Sequence, residues 1–357
     1  MNNSMNISDN TFHILQSIKE KEGFKNKTWD EWFTSKFPDY FTDKSTEKII
    51  EKILGESAFN TYYDEWIQNF SLNLNSIWNG KSIRDLIPKT IPDSSALIIG
   101  RGPSINKKNH FKILAESDFN GSILCSDGNL PNVLNSGITP DKFKNFYVVT
   151  IDSQERQKKF YSDPIVKKFG NKIKCIVSTT ASPKAHQAMI DSGLDIFWVH
   201  TLVDYNKGKN SFNYIANTMT KSKNHPKGLP AIQTGGNVGT AAWILSWSIL
   251  KHKTVGLIGI DHGYYSEDRS IDDHKLPKGI NEYSLAYKKA YPTIYNPEFD
   301  CHCTQDPIFQ YYSNSLKNFI KKTSHNVNTI NATEGGALFG EGITCTTFNK
   351  FLKHYNF

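Results

Sequence analysis

Ala96-Leu97-Ile98-Ile99-Gly100-Arg101-Gly102-Pro103-Ser104 sets an apolar run directly against a Gly-x-Gly turn. A short run rich in branched side chains and stopped by glycine reads as a buried strand. The two glycines bring backbone amides, unshielded by side chains, to the carboxyl end of that strand, where a phosphate can approach them. Ser104 then offers a hydroxyl to a ligand, or a cap to the next helix. The spacing is neither the dinucleotide fingerprint Gly-x-Gly-x-x-Gly nor a Walker loop. A tight turn with no ligand is the alternative reading.

Outward from this point the same pattern repeats. Ser122–Cys125, Phe146–Ile151, Ile173–Ser178, Ile196–Val199 and Val255–Ile260 are short apolar runs, with amphipathic stretches between them. The alternation predicts an α/β chain, a mostly parallel sheet with helices on both faces. In such sheets ligands sit beyond the carboxyl ends of the strands, where the strand order reverses. Asp127 and Gly128 follow the second run and Asp152 follows the third, so these acids are candidates for a ribose hydroxyl or a hydrated cation, or else helix caps. Thr234-Gly235-Gly236-Asn237 opens the apolar helix Trp243–Leu250. A glycine turn at a helix start presents unpaired amides and the positive dipole end to an anion, or simply lets helix and sheet pack closely. The last strand of this set leads into Asp261-His262-Gly263-Tyr264-Tyr265.

Asp300-Cys301-His302-Cys303-Thr304-Gln305-Asp306-Pro307 reads as a loop before a helix, with Asp306 as N-cap and Pro307 in the first turn. His302 is a candidate general base, because imidazole exchanges protons near neutral pH; a structural loop histidine is the other reading. Thr333-Glu334-Gly335-Gly336-Ala337 follows the strand-like Val327–Ile330 and is placed to close one wall of a pocket. Residues 1–92 read differently. A helix over Ser45–Leu54 stops at Gly55, and Phe59, Tyr62, Tyr63, Trp66, Ile67 and Phe70 continue the period without any cluster of catalytic side chains. This predicts an N-terminal helical appendage over residues 1–92, packed on a main domain of residues 93–357 or on a protein partner.

Composition narrows the classes. The chain has 357 residues, a formal charge of +7 and 38% hydrophobic residues, enough for a large core. Its arginines are Arg84, Arg101, Arg156 and Arg269, and the rest of the positive charge is lysine; a surface that reads nucleic acid relies on guanidinium forks, so none is expected. Five cysteines, an odd count, argue against a disulfide framework, and Cys301-x-Cys303 lacks the second pair of a zinc site, so no metal is expected there. No run approaches the roughly 18 apolar residues of a membrane span. The start MNNSMNISDN has no signal-like core, which makes a cytoplasmic location the expectation.

Taken in order, the motifs resemble a known family. Gly100-Arg101-Gly102-Pro103-Ser104 is similar to the Gly-x-Gly-Pro-Ser loop of the 6-hydroxymethyl-dihydropterin diphosphokinase-like (MptE-like) family, which includes motility accessory factors that glycosylate flagellin. The same loop resembles that of the bacterial CMP-sialic acid-dependent sialyltransferases. Thr234–Thr240 followed by Gly259-Ile260-Asp261 resembles the second block of both groups, whereas Ser126-Asp127-Gly128, Pro140-Asp141 and Thr333–Ala337 resemble the MptE-like side. The likeness spans about residues 96–343 and leaves the first 92 outside it. It implies a Rossmann-like fold. Gly100, Gly102, Pro103, Ser104, Asp127, Gly128, Asp152, Thr234, Gly235, Gly236 and Asn237 would hold a nucleotide, with Tyr264, Glu334 and Gly335 toward the substrate and His302 and Asp261 as catalytic groups. Two activities follow. A glycosyltransferase would move a nonulosonic, sialic-like sugar from a nucleotide donor such as a CMP-sugar to a glycan or protein hydroxyl, with no added cofactor. A pterin diphosphokinase would use ATP and magnesium; that branch ends its third strand in a doubled-acid Thr-Asp-Leu-Asp block, where this chain has Thr150-Ile151-Asp152-Ser153, and the missing carboxylate weakens this reading. A non-catalytic nucleotide-binding module in surface-glycan assembly is the third expectation.

Overall fold

Ala96–Ile99 forms a strand, β2, buried at every position, and its side chains alternate between two cores as a period of two requires. Leu97 and Ile99 join the core on one face of the sheet, Ala96 and Ile98 the core on the other. The computed structural model describes residues 43–204, 206–265 and 291–355, with residues 16–23, 25, 26, 28, 29 and 32; for residues 43–57 it describes the backbone alone.

The other strands of this sheet are β1 (Lys81–Ser82), β3 (Ser122–Ser126), β4 (Asn145–Thr150), β5 (Lys174–Ser178), β6 (Asp195–Thr201), β7 (Ala231–Ile232), β8 (Thr254–Ile258), β11 (Asn328–Asn331) and β12 (Ile343–Cys345). Their spatial order is β1-β6-β5-β4-β3-β2-β8-β11-β12, with β7 also pairing with β6, and all these pairs are parallel. From β2 the chain winds outward through β3, β4, β5 and β6, then returns to lay β8, β11 and β12 on the opposite side of β2. The strand order therefore reverses between β2 and β8. Helix Val238–Ser248 covers one face through Ala241, Ala242, Trp243 and Leu245, joined by Leu316 and Ile320 of helix Pro307–Thr323. Shorter helices, among them His110–Glu116, Pro183–Asp191 and Phe348–His354, cover the other. This is the expected Rossmann-like sandwich.

Three expectations need correction. The N-terminal helix does not stop at Gly55; it runs from Asp43 to Asn79. One interior glycine costs only about 1 kcal/mol, which a helix anchored along its later turns absorbs. Nor is residue 92 a domain boundary. Phe70 and Ile77 are buried in the same core as Leu97 and Ile99, and Lys81–Ser82 pairs with β6 as a further strand. Asn69 and Asn73 reach across the carboxyl ends of β4 and β5. Asn69 Nδ2 donates to the carbonyls of Ser153 (2.9 Å) and Thr180 (3.1 Å), and Asn73 Nδ2 to those of Thr179 (3.2 Å) and Ala181 (2.8 Å). The segment is a wall of the sheet's carboxyl edge. Third, the stretch expected as a loop at residues 300–306 contains strand β10 (Cys301–Thr304), paired antiparallel with β9 (Thr293–Asn296).

Cutting the chain at residue 93 should therefore unfold it, since the cut removes a strand and the buried core side chains Phe70, Ile77 and Ile83; a cooperative thermal transition in a 93–357 fragment would restore the separate appendage. Asn73→Ala in the full chain leaves two buried carbonyls unpaired and should cost about 1–3 kcal/mol in urea unfolding.

Candidate active site

The loops that follow β2 and β8 are locked together at the reversal point. Gly100 N–H donates to the Ile258 carbonyl (2.9 Å) and Gly102 N–H to that of Gly259 (2.8 Å). A Cβ on Gly102 would lie 1.7 Å from Asp261 Oδ2, so only glycine admits this approach. Ser104 Oγ donates to Asp261 Oδ2 (2.7 Å), and the Ser104 amide (3.3 Å) and Tyr265 hydroxyl (2.8 Å) donate to Oδ1. Asp261 is 2% exposed. Burial raises its carboxyl above the ordinary range, while the Ser104 and Tyr265 bonds pull it back. The loop after β11 closes on the same point: Ala337 N–H donates to the Asp261 carbonyl (2.8 Å), and Gly335 lies against the Tyr265 hydroxyl. Asp261, expected as a catalytic group, is thus sealed in a knot that ties three strand ends. The amides of Gly100 and Gly102, expected to face a phosphate, are engaged within the chain, as are the amide and the hydroxyl of Ser104. Exposed Arg101 projects from this loop, and Pro103 leads into the short helix Ser104–Lys107.

The second glycine turn lies on the same carboxyl edge. The ideal Cβ positions of Gly100 and Gly239 fall 2.5 and 2.8 Å from the same atom, Cδ1 of Ile260, which stands between the two turns. Gly235 and Gly236 both adopt left-handed backbone, φ 56° and 82°. Thr234 Oγ1 accepts from the Gly236 amide (3.2 Å). Asn237 caps helix Val238–Ser248: its Oδ1 accepts from Thr240 N–H (2.9 Å) and its Nδ2 donates to Thr240 Oγ1 (2.9 Å). The Val238 and Gly239 amides, next at the positive end of the helix, have no partner among the described residues. The Tyr311 and Tyr312 rings of helix Pro307–Thr323 pack on Gly236.

Asp127, 6% exposed, closes β3; its Oδ1 accepts from Gly128 N–H (2.7 Å) and its Oδ2 from the Thr150 hydroxyl. Burial pushes its carboxyl up to about 6, against the pull of these two bonds; nearby Asp152 adds to the rise, and the Arg101 charge opposes it. Asp152 accepts from the Gln154 amide (3.0 Å) and from the Gln157 side chain, so it organises its own turn. Magnesium, required by a diphosphokinase, finds no ready cage. Asp127, Asp152 and Asp261 are each committed to donors of the chain, and among the described residues no three His, Cys, Asp or Glu side chains are grouped to hold a metal ion.

The remaining candidates scatter. Tyr264 donates from its hydroxyl to Asp306 Oδ2 (3.1 Å), which as expected caps the following helix; its neighbour Tyr265 is the one that reaches Asp261. Glu334 accepts from Phe348 N–H (3.0 Å) and lies 3.5 Å from His110 Nε2; burial pulls its carboxyl up, but these contacts outweigh it and hold it below the ordinary range. His302 sits opposite Tyr295 in the hairpin, ring centroids 4.9 Å apart, on the exposed face away from buried Cys303.

Several residues at this edge went unread in the sequence. Asn129 is buried and donates to the Gly100 carbonyl (2.7 Å), fixing the glycine loop from the β3 side. His262 holds a left-handed φ of 45°, is 8% exposed, and its Nδ1 has no hydrogen-bond partner; burial and the Lys317 charge push it down to about 3. Neither backbone sign nor burial shows in the string Asp261-His262-Gly263. Asn129 stands in plain view two places after Asp127, but its role depends on a loop 29 residues earlier.

An open parallel sheet with its cleft at the strand reversal defines the Rossmann-like class. Within that class the chain belongs to the MptE-like family: the family model described as 6-hydroxymethylpterin diphosphokinase MptE-like matches residues 68–267, more than half of the chain. Among solved structures it is similar to the MAf glycosyltransferase from Magnetospirillum magneticum AMB-1, with a TM-score of 0.50 and 16% identity over 73% of this chain. At that identity the likeness is one of fold, and it covers 34% of the other chain, about a third of its length. No curated protein matches. No helix among the described residues is long and apolar enough to cross a membrane.

The raised Asp127 carboxyl gives a pH test. Between about pH 4 and 6 the folded chain keeps a proton that the unfolded chain has released, so this contribution is full below about pH 4 and lost as pH rises through 6. It amounts to about 3 kcal/mol at most. Asp127→Asn, nearly isosteric, should flatten the fall in urea stability across that window; an unchanged slope would show that Asp127 is ionised in the folded state.

Proposed function

We propose that this chain is a nucleotide-dependent glycosyltransferase whose donor nucleotide lies along the carboxyl edge of β2, β3, β4 and β8. The observation that carries this reading is the convergence on one edge of two glycine turns and a helix start whose Val238 and Gly239 amides are unpartnered. Those amides and the helix dipole suit the donor's phosphate. The locked β2–β8 knot would then serve as the rigid floor against which donor and acceptor are aligned, a positional contribution that survives without any metal. The transferred group on this reading is a nonulosonic sugar, and the acceptor is a hydroxyl of a glycan or protein.

The acceptor hydroxyl must lose its proton as the glycosidic bond forms and the nucleotide departs with the bonding electrons. On this reading His302, exposed on β10, takes that proton, because its place ahead of helix Pro307–Thr323 resembles that of the sialyltransferase general base. General-base help is worth about 10²–10⁴-fold. His302→Ala should lower turnover by that order while nucleotide binding is unchanged; unchanged turnover removes His302 from the mechanism.

Membership of a family described by its 6-hydroxymethylpterin diphosphokinases supports a second reading, a pterin diphosphokinase. A thermal-shift screen of CMP, CDP, UDP, GDP, ATP and pterins, with and without magnesium, separates the two. A cytidine nucleotide that stabilises the chain without magnesium supports the glycosyltransferase; at a hundredfold over its dissociation constant the gain is about 2.7 kcal/mol. Stabilisation only by ATP with magnesium, followed by AMP release with a pterin, would replace it. Binding without turnover of either kind would leave a nucleotide-binding module.

A further inference from the structure

Helix Phe212–Met219 packs along helix Asp43–Asn79 through Phe212, whose ring meets those of Tyr63 and Phe70. Its other positions leave Tyr214, Ile215 and Met219 at the surface, and Trp78 of the longer helix joins them, each between 39% and 49% exposed. Single exposed apolar side chains are ordinary; several gathered at one place are not. Trp78 Nε1 donates to the Met219 carbonyl (2.7 Å), and the Trp78 carbonyl accepts from Ser222 Oγ (3.2 Å) and Asn224 Nδ2 (3.1 Å). The indole is thus held at the surface with its polar edge satisfied. Trp78 lies three residues before β1, whose Lys81 pairs with Phe197 near the start of β6, so the patch sits at the amino edge of the sheet, opposite the cleft.

Charge surrounds this patch with one sign. Residues 206–228 contain Lys207, Lys209, Lys221, Lys223 and Lys227, all exposed, and no Asp or Glu. None of the five has a carboxylate at ion-pair distance among the described residues. Residues 66–80 of the longer helix carry no charged side chain. Acids of the adjoining turns are engaged: Asp204 is buried and accepts from the Asn206 (2.8 Å) and Asn213 (3.2 Å) amides, Asp195 pairs with Lys81 (2.6 Å), and Asp85 accepts from the Ser82 amide (2.8 Å). The rim is lysine alone, since Arg84 is turned onto the Gly228 carbonyl. Protein interfaces favour arginine and are depleted in lysine. A compact ammonium on a flexible stem suits a diffuse layer of anionic headgroups, and Trp and Tyr settle at the boundary between lipid and water. We propose that this face docks on an anionic lipid surface, with Trp78, Tyr214, Ile215 and Met219 in the headgroup boundary and the five lysines against lipid phosphates. The cleft, on the opposite edge, stays open to solvent in the docked chain. The inference is independent of the reaction assigned above.

The test is co-sedimentation of the full chain with vesicles of phosphatidylcholine alone, or of phosphatidylcholine with about one third phosphatidylglycerol. Wild type should bind the anionic vesicles at least about tenfold more tightly than the neutral ones, and added salt should weaken that binding. Lys221→Glu with Lys223→Glu should weaken it by about tenfold or more. Ile215→Ser with Met219→Ser should weaken it comparably while leaving the net charge unchanged, which separates apolar insertion from simple attraction. Lys350→Glu with Lys353→Glu, the same charge change on helix Phe348–His354, should leave binding near wild type. The thermal midpoint of each variant should match wild type, so that lost binding is not lost folding. Absence of binding to anionic vesicles overturns the proposal. So does equal weakening by the control pair, which would make net charge the cause, or indifference to both patch variants. Retention on immobilised poly-glutamate without vesicle binding would also overturn it, putting an acidic protein in place of the bilayer.

Discussion

The architecture of this protein's cleft depends on one buried carboxylate. Asp261 emerges at the end of β8, 2% exposed, and takes hydrogen bonds from Ser104 after β2 and from Tyr265 four residues on. A carboxyl at this depth is tolerated only when its oxygens are satisfied, and a satisfied buried polar network is rigid because no competing arrangement pairs it as well. The loop after β11 bonds to the same residue's backbone, so strands that diverge in chain order are fastened where the order reverses. The two β2 glycines exist to permit this closeness.

That constraint redistributes the chemistry of the edge. Amides that a glycine loop ordinarily offers to phosphate are turned inward, and the groups left facing outward are Arg101 on one side and the start of helix Val238–Ser248 on the other. Ile260 stands between the two glycine turns, its Cδ1 against both. The carboxylates Asp127 and Asp152 hold their own turns, one deep and partly protonated near pH 6, the other near the surface. Asp127, Asp152 and Asp261 each accept from donors of the chain, so among the described residues these three carboxylates serve the loops that carry them.

Much of the fold was legible because buried parallel strands announce themselves as apolar runs; β2, β3, β4, β5, β6, β8 and β11 all fall within a residue or two of the runs that predict them. Asp306 and the Asp306-Pro307 helix start were legible for a local reason, since a cap is made within three residues. By contrast β7, β9, β10 and β12 are short or polar; β7 and β12 exist because a strand elsewhere in the sheet pairs with them, and β9 and β10 because they pair with each other. Gly55 failed as a stop signal because a local penalty of about 1 kcal/mol is small beside the packing of the helix beyond it. In the site, the motif residues were visible but their orientation was not: Tyr265 rather than Tyr264 meets Asp261, and Glu334 braces His110 and the last helix.

Local pattern, then, was enough to establish the class of the fold, the carboxyl edge on which its motifs gather and the family to which they belong, because apolar periodicity and turn chemistry act over a few residues. What each polar group does there was settled by contacts between segments as far apart as 29, 84 or 157 positions, such as Asn129 on Gly100, Asn69 on Ser153 or Ser104 on Asp261. Desolvation and hydrogen-bond partnership are properties of an assembled neighbourhood. They turned three amides inward, sealed a carboxylate, and left Arg101 with no carboxylate at ion-pair distance among the described residues.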